Sequence, residues 1–129
     1  ATVDGARPVG SASMAAIYPV LSIFLAVVAL LSAAMDFRGT PQIEDLMRRL
    51  GRRPKFEHTL GLIKTVGAIG LFVGLAVHWI GVAAAAGFTA YFILAVRAHR
   101  SIGDPSKEIA PAGFLFLVSA ATLITGLLA

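Results

Sequence analysis

The chain has 129 residues, of which 57% are hydrophobic and 14% charged, with a formal net charge of +4 and no cysteine. A soluble domain carries roughly 25% charged residues, and one of this size keeps too large a surface fraction to hide so much apolar side chain, so the excess is expected to face lipid. Without cysteine there is no disulfide, thiolate metal site or thiol nucleophile; and the basic residues cluster between apolar runs instead of alternating with stacking aromatics, which argues against a nucleic-acid partner.

The first apolar run, about 12–35, holds no charged side chain. It exceeds the roughly 20 residues a helix needs to cross the hydrocarbon core. Arg7 precedes it much as a basic residue precedes a signal peptide, but the run is too long for an h-region.

Next comes a polar connection, 36–58, with a short helix of its own over 41–50. Thr40 is the expected N-cap and Pro41 the first helical residue. Ile43, Leu46, Met47 and Leu50 recur at helical spacing, while Glu44 with Arg48 and Asp45 with Arg49 can pair on the other face. Gly51 stops it. Such an amphipathic helix is expected to lie in the membrane interface with its apolar side toward acyl chains. Arg48, Arg49, Arg52, Arg53 and Lys55 would then meet the headgroups.

The second apolar run, about 59–77, is interrupted only by Lys64; the third, about 79–96, is uncharged. Between them lie His78 and Trp79, a tight hairpin with Trp79 suited to the aromatic belt. Gly67, Gly70 and Gly74 share a stripe of the second, and Gly81, Ala83 to Ala86 and Gly87 offer small residues on the third. Close backbone approach is what holds helices together in lipid, so this hairpin is expected to be tightly packed. The connection 97–108 ends with Asp104 as an expected cap and Pro105 as the first residue of a fourth segment, about 109–129, in which Pro111 falls near the start. The reading is thus all-α: a single integral membrane domain, 1–129, folded as a four-helix bundle with a short interfacial helix between helices one and two.

An even number of crossings puts both termini on one side. Nine Lys and Arg residues lie in the two long connections and only Arg7 near a terminus, so the positive-inside rule predicts cytoplasmic loops and external termini.

A polar group gathers at the loop end of the helices: Asp36, His58, Lys64, Arg97 and His99, with Tyr91 in mid-helix. Lys64 enters its helix by about six residues, where an unpaired charge is expensive. Snorkelling to the interface, an ion pair with Asp36, and contact with a polar head group are all open to it. Tyr91 can meet an apolar ligand or simply pack. His58, His99 and Glu57 do not have the i, i+4 spacing of a specific metal site, so no metal is expected. Thr122 and Thr125 suit bonds to their own backbone. No phosphate loop, nucleophile elbow or zinc signature is present, and no catalytic residue is assigned.

The stretches SAAMDFRG (Ser32 to Gly39), LGLIKTVGAIGLFVGL (Leu60 to Leu75) and GVAAAAGFTAYFILAVRAHRSIGD (Gly81 to Asp104) resemble, in order and spacing, the DoxX-like family of small four-helix bacterial membrane proteins. The resemblance covers most of 32–129. In that pattern the first stretch carries Gly-x-x-Lys and the second a Glu after its first glycine; here Ala33, Asp36 and Lys64 stand at those places, so acid and base have changed helices. An exchange that preserves opposite signs favours a real Asp36–Lys64 contact, since a buried charge cannot spare its partner. The resemblance implies an inner-membrane location and a link to redox systems, one member being a subunit of a thiosulfate–quinone oxidoreductase. The function expected is therefore a small subunit or accessory protein of a larger membrane complex, partnered by lipid and by another membrane protein or its own copies. The alternative is a membrane-embedded quinone- or lipid-binding enzyme whose pocket is lined by Asp36, Lys64, Tyr91 and His99. No cofactor is evident beyond such a quinone or lipid.

Overall fold

The computed structural model describes residues 2–3, 7–39, 41–52 and 56–129, and the side chains of 13–39, 41–52 and 57–129. Thr40, Arg53 and Lys55, and the side chain of Arg7, lie outside the described residues. Two dipeptides, β1 (Thr2–Val3) and β2 (Arg7–Pro8), pair antiparallel. Among the described residues everything else regular is helix: α1 (Val9–Arg38), α2 (Pro41–Arg49), α3 (Phe56–Val73), α4 (His78–Ser101) and α5 (Ser106–Leu128).

Among the described residues, three helical stretches are long and apolar enough to cross a membrane: Ser13–Arg38, His78–Ser101 and Ser106–Leu128. α3 has 18 residues, carries Glu57 and Lys64, and is not one of them. α1 packs on α3 and α5, and α4 packs on the same two, so the four long helices close a ring while α2 touches α3 at one end. Their shared interior holds Leu25, Ala26 and Ala29 of α1, Ala68 and Leu71 of α3, and Ala85, Phe88 and Phe92 of α4. Large apolar side chains such as Val20, Leu31, Val66, Leu94 and Leu117 point outward. An outside this apolar is solvated by acyl chains, and it places the protein in contact with the bilayer.

Small residues set the distances inside the ring. A Cβ on Gly74 would fall 2.2 Å from the Cα of Gly81, and one on Gly67 would fall 2.6 Å from the Phe88 ring. Gly70 faces Ala84. α3 and α4 therefore touch backbone to backbone at their junction, and the chain must reverse almost at once. α3 accordingly stops at Val73, short of the apolar run's end, and the turn at 74–77 carries the chain into α4. Gly81 and Gly126 leave room for Tyr18, whose ring also lies 4.9 Å from that of His78. Gly87 differs from the other glycines grouped with it in the sequence: it is exposed, and a Cβ there would meet nothing within 4 Å.

α5 brings small polar residues to the interior. Ser119, Thr122 and Thr125 are buried, and each hydroxyl donates to the carbonyl four residues back. These bonds satisfy the hydroxyls without a partner helix.

Left-handed glycines end three of the helices at the loop side, the first being Gly39 after α1, where φ is +62°. α2 stops at Gly51, where φ is +71° and the Arg52 amide donates back to the Met47 carbonyl. α4 runs through Arg97 to Ser101, beyond its apolar stretch, because helical bonding continues while Arg97 and Arg100 turn outward. It stops at Gly103, where φ is +73° and the Asp104 amide donates to the His99 carbonyl at 3.1 Å. This cap folds residue 104 back over the last turn of α4. Asp104 consequently does not cap α5: that helix starts at Ser106, with Pro105 in the capping position and no side-chain cap.

Candidate ligand pocket at the loop end of the helices

Gly61 lets α1 and α3 approach closely. A Cβ there would lie 3.1 Å from the Phe37 ring and 3.2 Å from both the Ala33 carbonyl and the Asp36 Cβ. Three residues further along α3, Lys64 faces α1. Its ammonium donates to Asp36 Oδ2 at 2.8 Å and to Ser32 Oγ at 2.7 Å. Ser32 and Asp36 are one helical turn apart, so they present one face to Lys64. Asp36 is 5% exposed and Lys64 7%. Two charges this far from solvent persist only because each neutralises the other.

Tyr91 of α4 adds an aromatic face, with Lys64 Nζ 5.5 Å from its ring centroid. Tyr91 meets Phe92 edge to face at 5.1 Å, and Phe92 stacks on Phe88, so the phenol is backed by the apolar interior. A cation over an aromatic face in a desolvated setting is held by the ring's quadrupole.

These groups lie on the wall of a cavity of about 440 Å³ to which all five helices contribute. Ser32, Asp36, Lys64, Tyr91 and His99 give it polarity; Phe92, Ala95, Ala112 and Leu115 line its inner part. Its volume and mainly apolar wall with a few polar groups are those of a small-molecule site. Ile43, Leu46, Met47 and Leu50 form its roof. The apolar face of α2, assigned from its sequence to acyl chains, is thus turned onto the other helices, with Met47 buried. Burying that face against protein removes the same area from water as burying it in lipid, and α3 supplies the nearer surface.

The polar face of α2 is also more engaged than its sequence suggested. Arg48 pairs with Asp45 in place of Glu44. Arg49 bonds Asp45 and reaches Asp104 Oδ1 at 2.7 Å. Arg52 borders the cavity and has contacts of its own. Of the arginines expected at headgroups, Arg49 at least is tied to protein.

Asp104 is shared. Its other oxygen accepts a bond from His99 Nδ1 at 2.6 Å, so the ring proton sits on Nδ1 and Nε2 is the remaining polar atom. Bonds from His99 and Arg49 hold the Asp104 carboxyl below the usual carboxylate range, outweighing the opposing effect of burial. His99 is therefore fixed by Asp104 and does not meet His58, whose ring lies beside Phe37 at 6.2 Å. No group of three or more potential metal ligands occurs among the described residues.

The structure thus brings Asp36, Lys64, Tyr91 and His99 to one cavity. Sequence reasoning missed Ser32, although its spacing from Asp36 signalled a shared face. It missed Asp104 as a partner of His99, although Gly103 signalled a reversal there. Glu57, 2% exposed, and Glu108, on the cavity wall, carried no periodic signal.

A family model described as the DoxX-like family matches residues 20–121, which contain every one of these pocket residues. The chain belongs to the DoxX-like family. No curated protein and no solved structure matches it. The DoxX-like region takes in most of α1, all of α2, α3 and α4, and two-thirds of α5, so membership extends over the whole ring of helices.

Proposed function

We propose that this DoxX-like protein binds a quinone- or lipid-type amphiphile in the cavity at the loop end of its helices. The observation that carries the reading is the buried Lys64–Asp36 pair, joined by Ser32, on the wall of a mainly apolar space. A membrane-depth ion pair is costly to build and is better explained by a ligand's head group than by packing alone. In this reading all four long helices cross the inner membrane as a bundle. α2 lies at the cytoplasmic interface as a roof, the basic connections face the cytoplasm, and the termini lie outside.

The test is to purify the protein in mild detergent and identify bound small molecules by mass spectrometry, beside Ala112→Phe, which fills the cavity. A near-stoichiometric quinone or lipid in the native protein and its loss in the variant support the reading. Identical lipid profiles would remove it. Reporter fusions in the connection before α3 check the orientation, with a cytoplasmic signal expected.

A second reading, a subunit of a larger membrane assembly, is favoured by a separate observation. Ala83, Ala86, Gly87 and Ala90 recur at helical spacing on α4 and all are exposed. Small residues on a lipid-facing surface admit a neighbouring helix at close range. Gly87→Leu is expected to dissociate a partner or a second copy in mild detergent while leaving the fold intact.

A further inference from the structure

The charges around the cavity narrow the kind of head group it can take, granted that it binds an amphiphile at all. Four of its lining side chains carry formal charge: Asp36 and Glu108 are acidic, Lys64 and Arg52 basic. These cancel. His99 is committed through Nδ1 to Asp104.

Lys64 has three N–H donors. Asp36 Oδ2 takes one and Ser32 Oγ another, at 2.8 and 2.7 Å. Among the described residues the third has no oxygen acceptor, and the ammonium stands over the Tyr91 ring beside the open space. What the ammonium lacks is one more acceptor, not a counter-charge. A carboxylate or phosphate entering here would share a single ammonium with Asp36, and two like charges repel strongly where little water screens them. A carbonyl-type oxygen takes the free N–H with no change in net charge.

We propose that the cavity selects an uncharged amphiphile, with an acceptor oxygen on Lys64 Nζ, and that Asp36 is the residue that excludes anionic lipids. Asp36 thereby sets specificity by its charge, while the bond to the ligand is made by Lys64.

The experiment is a competition between methyl decanoate and decanoate, which share a chain and differ in head-group charge. Both are offered to the full-length protein in a maltoside detergent at about pH 8, where a carboxylate is ionised. Intact complexes are counted by native mass spectrometry. The wild type is expected to favour the ester by about tenfold. Asp36→Asn leaves Lys64 without its counter-ion and is expected to reverse the preference. Because that variant removes half of a buried pair, Glu108→Gln serves as a milder counterpart at an exposed position, and is expected to narrow the ratio. A wild type that takes decanoate as well as the ester, or a ratio unmoved by both variants, overturns the charge argument while leaving amphiphile binding in place. If neither compound binds the wild type, both readings fall together.

Discussion

Arg49 Nη1 lies 2.7 Å from Asp104 Oδ1, joining residues 55 positions apart and tying the roof helix α2 to the end of α4. The same carboxylate holds His99, which borders the cavity. Roof and wall therefore share one anchor. Replacing Arg49 with Ala is expected to leave the four long helices folded while raising amide exchange several-fold across 41–49. Exchange unchanged in α2 would mean that its apolar face alone keeps it seated.

Acid should release the same anchor. The folded-state pKa of Asp104 is depressed by its two hydrogen-bond donors, so its contribution is fully present above the ordinary carboxylate value of about 3.8. It is lost as pH falls through the depressed, folded value. Through neutral and mildly acidic pH the tie should be constant, and only strong acid should open it. In Asp104→Asn the exchange rate of α2 is expected to be high already at neutral pH and to lack that acid step.

The Lys64–Asp36 pair should show strong coupling. Removing either partner alone leaves a buried charge without compensation, at a cost of about 3–5 kcal/mol. Lys64→Met combined with Asp36→Leu removes both charges and should cost less than the sum of the single changes by about 1–3 kcal/mol. Thermal unfolding in detergent measures all four proteins. Additive losses would show that the 2.8 Å contact carries no stability of its own.

Glycines should separate sharply by position. An added methyl at Gly74 overlaps the Gly81 backbone, which cannot swing aside as a side chain can. Gly74→Ala is therefore expected to force α3 from α4 and cost at least about 1–3 kcal/mol. Gly87→Ala meets open space and should leave the melting temperature in detergent unchanged. Equal effects at the two positions would contradict the packing described for the hairpin.

Much of this arrangement was legible in the residues themselves. Long uncharged runs announced helices and an apolar exterior; Gly67, Gly70 and Gly74 announced the close side of α3; and the opposite signs of Asp36 and Lys64 suggested their contact. Helix ends were less legible, because hydrogen bonding ignores hydrophobicity. α4 continues past its apolar run through Arg97 to Ser101, while α3 ends before its own run does.

What composition and spacing determined by themselves was local: which segments coil, which face of each is small, which is apolar, and where the charges fall along the chain. Only the tertiary structure decided which surfaces those faces meet. The apolar stripe of α2 reads the same whether it rests on acyl chains or on protein, since burial is non-directional, and only packing turned it into the roof of a cavity. The Arg49–Asp104–His99 chain likewise joins connections distant in sequence, and hydrogen bonds require a geometry that residue types alone do not specify.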